Sequence, residues 1–182
     1  MNLSQDVQEF LNYPALQKID PTTGLPENEN LYDIVSQSVL VIFFTGLYHV
    51  IRTKEAAAEL LELQNAKEVL DQIFRNNAAA VLTSISEFTK KDDNYIHTKL
   101  NEVANGFLQV IQQSDYAAAI QKEKGLEHLL SSEMQKILLF LPPGLKTGEL
   151  FNHETIDDNT NKMEGPVSSL MNKIGDAFSG DI

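Results

Sequence analysis

Residues 34–51, IVSQSVLVIFFTGLYHVI, decide the fold. Six consecutive apolar side chains, Val39 to Phe44, sit at its centre. A short apolar run of this kind fits a buried strand, a buried helix or a membrane span. Its β-branched composition suits a strand, but no hairpin chemistry flanks it. A membrane-spanning helix needs about 20 mostly apolar residues. Here Ser36, Gln37, Ser38, Thr45, Tyr48 and His49 interrupt the run, and Asp33 and Arg52 bracket it. A helix that is apolar on most sides and polar at intervals belongs at the centre of a bundle. The sequence therefore predicts a buried central helix from about Leu31 to Arg52.

Helical spacing continues on both sides of it. Before it, Ser4 is placed to cap a helix reaching about Asn12. Pro14 suits the first position of a further short helix, Ala15 to Ile19. Asp20 to Asn30, rich in Pro, Gly and Asn, reads as loop. After it, Thr53 is a natural N-cap for a helix from Lys54 to Leu63. Val69, Leu70, Ile73 and Phe74 set a helix from Lys67 to Arg75, and Val81, Leu82, Ile85 and Phe88 another from Ala78 to Phe88. Asn76 and Asn77 either break these two or lie inside one. After a turn at residues 90–94, Ile96, Leu100, Val103, Phe107, Val110 and Ile111 share one face of a helix from about Asp93 to Gln113. Two more follow, Tyr116 to Lys124 and Leu126 to Leu141, ended by Pro142-Pro143-Gly144. The expected fold is all-α: an irregular bundle of about seven helices around one long apolar central helix.

A faint internal likeness appears at an offset of 60 residues. Gly46-Leu47, Val50-Ile51 and Ala57-Ala58 match Gly106-Phe107, Val110-Ile111 and Ala117-Ala118. Duplication and chance resemblance between two apolar helices both produce such a pattern. Either way, each copy predicts a long helix, a turn and an Ala-rich helix.

Composition shifts at the C-terminal end. Residues 1–143 read as the bundle domain. Residues 144–165 turn polar and acidic and read as a linker, and residues 166–182 as a last amphipathic docking helix. There Val167, Leu170, Met171, Ile174 and Phe178 fall at i, i+3, i+4, i+7 and i+11, a single apolar stripe. Such a stripe suits a groove on the same chain, a second copy or another protein. With only Lys162 and Lys173 basic nearby, a membrane-surface role is disfavoured.

Charge narrows the partners. The 182 residues hold 26 acids against 14 Lys and Arg, a formal charge of −12. Nucleic acids are bound through clustered basic residues, and the only arginines are Arg52 and Arg75. No nucleic-acid partner is expected. There is no cysteine, so disulfides, thiolate metal sites and cysteine nucleophiles are excluded together. Residues 1–6 carry neither the basic nor the apolar part of a signal peptide. These features predict a soluble cytoplasmic protein.

The chemical motifs fail one by one. The bundle di-metal signature, Glu three before His, is missing at His49, His97, His128 and His153, which follow Gly46, Asn94, Gly125 and Leu150 at that spacing. Asp93 with His97, and Glu149 with His153, give two groups each, short of a three- or four-ligand site. Asp157, Asn159 and Asn161 begin like a calcium loop, but Lys162 and Ser168 stand where Gly and Glu are required. Gly144-Leu145-Lys146-Thr147 lacks the glycines of a phosphate loop. No metal, no cofactor and no catalytic residue is expected. Tyr48, His49 and Arg52, polar groups at the end of the central helix, are the candidate lining of a small apolar ligand pocket. The leading expectation is a non-catalytic interaction or scaffold module, working through Val167, Leu170, Met171, Ile174 and Phe178. The alternatives are a helical binder of a small apolar ligand and an enzyme with an unfamiliar site.

Overall fold

The structure, a computed structural model, describes residues 2–19, 33–122, 125–142, 144–145 and 147–151. All regular structure among them is helical: α1 (Leu3–Phe10), α2 (Ile34–Val50), α3 (Lys54–Leu61), α4 (Ala66–Phe74), α5 (Ala78–Thr89), α6 (Asp93–Ile111), α7 (Ser114–Lys122), α8 (Leu126–Leu138) and α9 (Thr147–Phe151). The all-α bundle is as the sequence predicts.

Polar caps set the helix starts. Asp33 accepts hydrogen bonds from the amides of Val35 at 3.0 Å and Ser36 at 3.3 Å, which fixes the first turn of α2. Thr53 caps α3 as expected, and Asn65 and Asp92 cap α4 and α6. The break between α4 and α5 is real. Arg75 turns into the left-handed region at φ 43°, and a single 3-10 turn, Arg75–Asn77, bridges the two helices. Lys90, also left-handed, ends α5.

The central position of α2 follows from its composition. Every residue from Val35 to Leu47 is buried. Around it lie α1, α4, α5, α6, α8 and α9, while α6 in turn packs against α1, α2, α4, α5 and α7. Phe43 lies edge-on to Phe44 at 5.4 Å between ring centroids, and 5.6 Å from Phe107 of α6. Such offset aromatic pairs add to the burial itself. The two glycines of the internal likeness are both points of close approach. A Cβ on Gly46 would stand 2.7 Å from Ile73 and 3.0 Å from the Phe151 ring; one on Gly106 would stand 3.1 Å from Leu11. The hairpins α2–α3 and α6–α7 have the expected outline, and α2 lies against α6.

Three details depart from the sequence reading. Residues 15–19 are not helical. The helix cap at the start of the chain is Asn2, not Ser4: its side chain accepts from the Gln5 amide at 3.2 Å. The first part of the stretch read as a linker belongs to the bundle, since Leu145 and Phe151 are buried and Thr147–Phe151 forms α9 against α2.

A candidate interaction groove beside the first helix

Three of the buried polar residues among the described ones, Ser4, Gln37 and Glu133, meet at the N-terminal arm, residues 2–19. The first amides of a helix lack intrahelical partners. In α1 they find one across the fold. Glu133 of α8, only 5% exposed, accepts from the Leu3 amide at 2.7 Å and the Ser4 amide at 3.1 Å. It also accepts from the Ser4 hydroxyl at 3.3 Å. A carboxylate at a helix N-terminus is favoured by the helix dipole as well as by these bonds. Among the described residues no cation pairs with Glu133, so α1 itself compensates its charge. Three residues on, Val7 is fully buried, as is Leu3.

Further ties hold the arm along its length. The Tyr116 hydroxyl of α7 donates to Asp6. The Tyr13 hydroxyl donates to Glu102 of α6 at 2.7 Å, and Lys99 reaches the same carboxylate oxygen at 2.7 Å. The Lys99 ammonium also lies 5.3 Å from the Tyr13 ring centroid and 5.9 Å from that of Tyr95. Gln37, buried on α2, closes the arm. Its Oε1 accepts from the Gln17 amide at 2.8 Å, and its Nε2 donates to the carbonyls of Gln17 at 2.8 Å and Phe140 at 2.7 Å. One side-chain amide thus does what a neighbouring strand would do for an extended backbone. That is why residues 15–19 do not coil.

These contacts move proton affinities. Burial, reinforced by the hydrogen bond to Glu102, raises the Tyr13 hydroxyl well above its ordinary value; burial and the bond to Asp6 do the same for Tyr116. Burial acts to raise Glu102, but hydrogen bonds from Lys99 and Tyr13 outweigh it and hold the carboxyl below its usual range. In an unfolded chain tyrosine loses its proton near pH 10. The folded protein keeps both protons beyond that point, so it binds more protons than the unfolded chain and its stability must fall as pH rises above about 10. Tyr13→Phe and Tyr116→Phe should each flatten that fall in urea unfolding at pH 9 to 11. An unchanged slope in both variants would remove these hydrogen bonds from the account.

Where α1 and the end of α8 diverge, a cleft of about 400 Å³ opens between them. Leu16, Ile137, Leu139 and Phe140 line one part of it, while polar residues, among them Gln5, Gln8, Glu9, Glu133 and Lys136, make up most of the rest. Leu139 is 44% exposed, and Phe10 at the end of α1 is 52% exposed. Of the two, Leu139 lines the cleft.

The residues selected from the sequence lie elsewhere. Tyr48 and His49 are half-buried at the end of α2, and Arg52 is exposed just past it. The Arg52 guanidinium lies 5.9 Å from the Tyr48 ring centroid, and the His49 ring lies 6.1 Å from that of Phe151. The structure fills the neighbourhood of His49 with the aromatic side chain of α9. Val167, Leu170, Met171, Ile174 and Phe178 lie outside the described residues, as does most of the expected linker. No group of three His, Asp or Glu stands together as a metal site among the described residues, and no helix among them is long and apolar enough to cross a membrane.

Sequence reading missed Glu133 and Gln37, yet both left a signal. In α8 the buried positions are Leu126, Leu129, Leu130, Glu133, Met134 and Ile137. Glu133 stands in the apolar phase of its helix, where an acid requires a partner. Comparison of the chain with protein-family models, with curated proteins and with solved structures finds no match. What fold and site define is a class only: an all-α bundle with an open groove beside a clamped N-terminal arm.

Proposed function

We propose that the protein is a non-catalytic interaction module that accepts an amphipathic helix in the groove between α1 and α8. The observation that carries the reading is the groove itself: apolar side chains ending in the exposed Leu139, between two helices joined by the buried Glu133 carboxylate. Helix-in-groove recognition uses apolar anchors spaced i, i+3, i+4 and i+7 against such a wall. The chain owns one segment of that pattern, Val167 to Phe178, which makes self-recognition or recognition of a like helix the natural use. The groups with displaced proton affinities support a structural role over a catalytic one. Tyr13, Lys99, Glu102 and Tyr116 are bonded to the N-terminal arm or to one another.

Fluorescence anisotropy tests the reading on the full chain carrying Leu170→Asp and Ile174→Asp, which removes competition from its own stripe. Labelled amphipathic helical peptides with the i, i+3, i+4, i+7 pattern are expected to bind, and scrambled peptides of the same composition are not. Leu139→Asp should weaken binding at least tenfold. Equal binding of patterned and scrambled peptides, or indifference to Leu139→Asp, would sink the proposal.

A further inference from the structure

We infer that the occupant of this groove, in the isolated protein, is the chain's own segment 166–178, so that the module is self-covered. The inference rests on the groove reading above and adds the identity of the occupant. Reach and charge permit the chain's own segment, and tethering favours it over a second copy. The described chain ends at Phe151, packed against α2, and fifteen residues separate it from Val167. Extended, they reach about 50 Å, whereas a domain of this size has a radius of gyration of only about 15 Å. Most of the bundle surface is therefore within reach. The charges also agree. The whole chain carries −12, but residues 166–178 hold one base, Lys173, and one acid, Asp176. The cleft holds Glu9 and the buried Glu133 against Lys136. A segment without net charge is not repelled from it. Finally, tethering decides between copies. A segment on the same chain is presented at an effective concentration on the order of millimolar, far above a second molecule at micromolar concentration.

The absence of cysteine makes the test clean, because engineered pairs have no competing thiols. Leu139→Cys is combined in the full-length protein with Leu170→Cys, with Ile174→Cys, or with Lys162→Cys as a tether control outside the stripe. Each is oxidised at micromolar concentration. At least one stripe pair is expected to close within the monomer, about tenfold faster than the control. Peptide binding to the wild type should also be at least tenfold weaker than to the Leu170→Asp, Ile174→Asp variant. Cross-linked dimers in place of closed monomers would overturn the inference in favour of a second copy. Stripe pairs no faster than the control, with peptides binding both proteins equally, would overturn it while leaving the groove reading intact. Loss of patterned-peptide binding in both proteins would remove the groove reading as well.

Discussion

Glu133→Ala is expected to destabilise the protein by about 2–6 kcal/mol, since two buried amides, those of Leu3 and Ser4, lose their acceptor and each such orphan costs about 1–3 kcal/mol. A fall of this size is a large share of the whole stability of a small domain. The effect should be directional. Glu133→Gln keeps one acceptor oxygen but turns an amino group toward helix donors, so it should recover only part of the loss. Urea unfolding gives the total, and amide exchange gives the place: α1 should lose protection before α2 and α6 do. If Glu133→Ala costs less than about 1 kcal/mol, the carboxylate is not what anchors α1. The burial of Leu3 and Val7 would then hold the helix alone.

A comparable loss is expected from Gln37→Leu, although leucine suits the apolar surroundings of α2 and nearly matches the volume. The substitution removes the bonds from Gln37 to the Gln17 amide and carbonyl and to the Phe140 carbonyl. At about 0.5–1.5 kcal/mol for each lost bond, partly offset by the apolar gain of the new side chain, the net cost should be about 1–3 kcal/mol. The adjacent Ser38 supplies the contrast. It is fully buried and its hydroxyl has no partner, so Ser38→Ala should be neutral or stabilising. Neither burial nor helix propensity predicts a loss at Gln37, since leucine is more apolar than glutamine and comparable to it as a helix former. Similar losses from both variants would show that the Gln37 bridge is not special.

The same two residues mark how far the sequence could be read. The apolar run at residues 34–51 fixed the centre of the bundle because a helix apolar on all sides has one stable environment. The helices from Lys54 to Leu138 followed from spacing and caps, both of which are local. What was not legible was set by distance. Pro14 and the residues after it look helical locally, but the backbone of Gln17 is claimed by Gln37, twenty residues on. Ser4 is a sound cap by type, yet its hydroxyl turns to Asn2 and Glu133. The stretch after Pro142 is polar on average, and the average concealed Leu145 and Phe151, single anchors that bring α9 onto α2. The groove was illegible for a further reason: it is space between two helices whose adjacency no local pattern records. The choice of Tyr48, His49 and Arg52 rested on polar groups in an apolar helix, and the same logic applied to Gln37 and Glu133 would have found the ties to the arm.

The bond from Leu3 to Glu133 spans 130 residues, and this has a consequence for biosynthesis. Chains are made from the N-terminus at about 5–20 residues per second. At that pace the ribosome needs roughly 7–26 s to add Glu133 after Leu3. Throughout that interval the first helix has left the ribosome's catalytic centre, but the acceptor for its leading amides does not yet exist. An eight-residue helix is marginal alone in water. Although α1 is made well before α8, it is therefore among the last elements to settle, and its Leu3 and Val7 are open to a chaperone until α8 arrives.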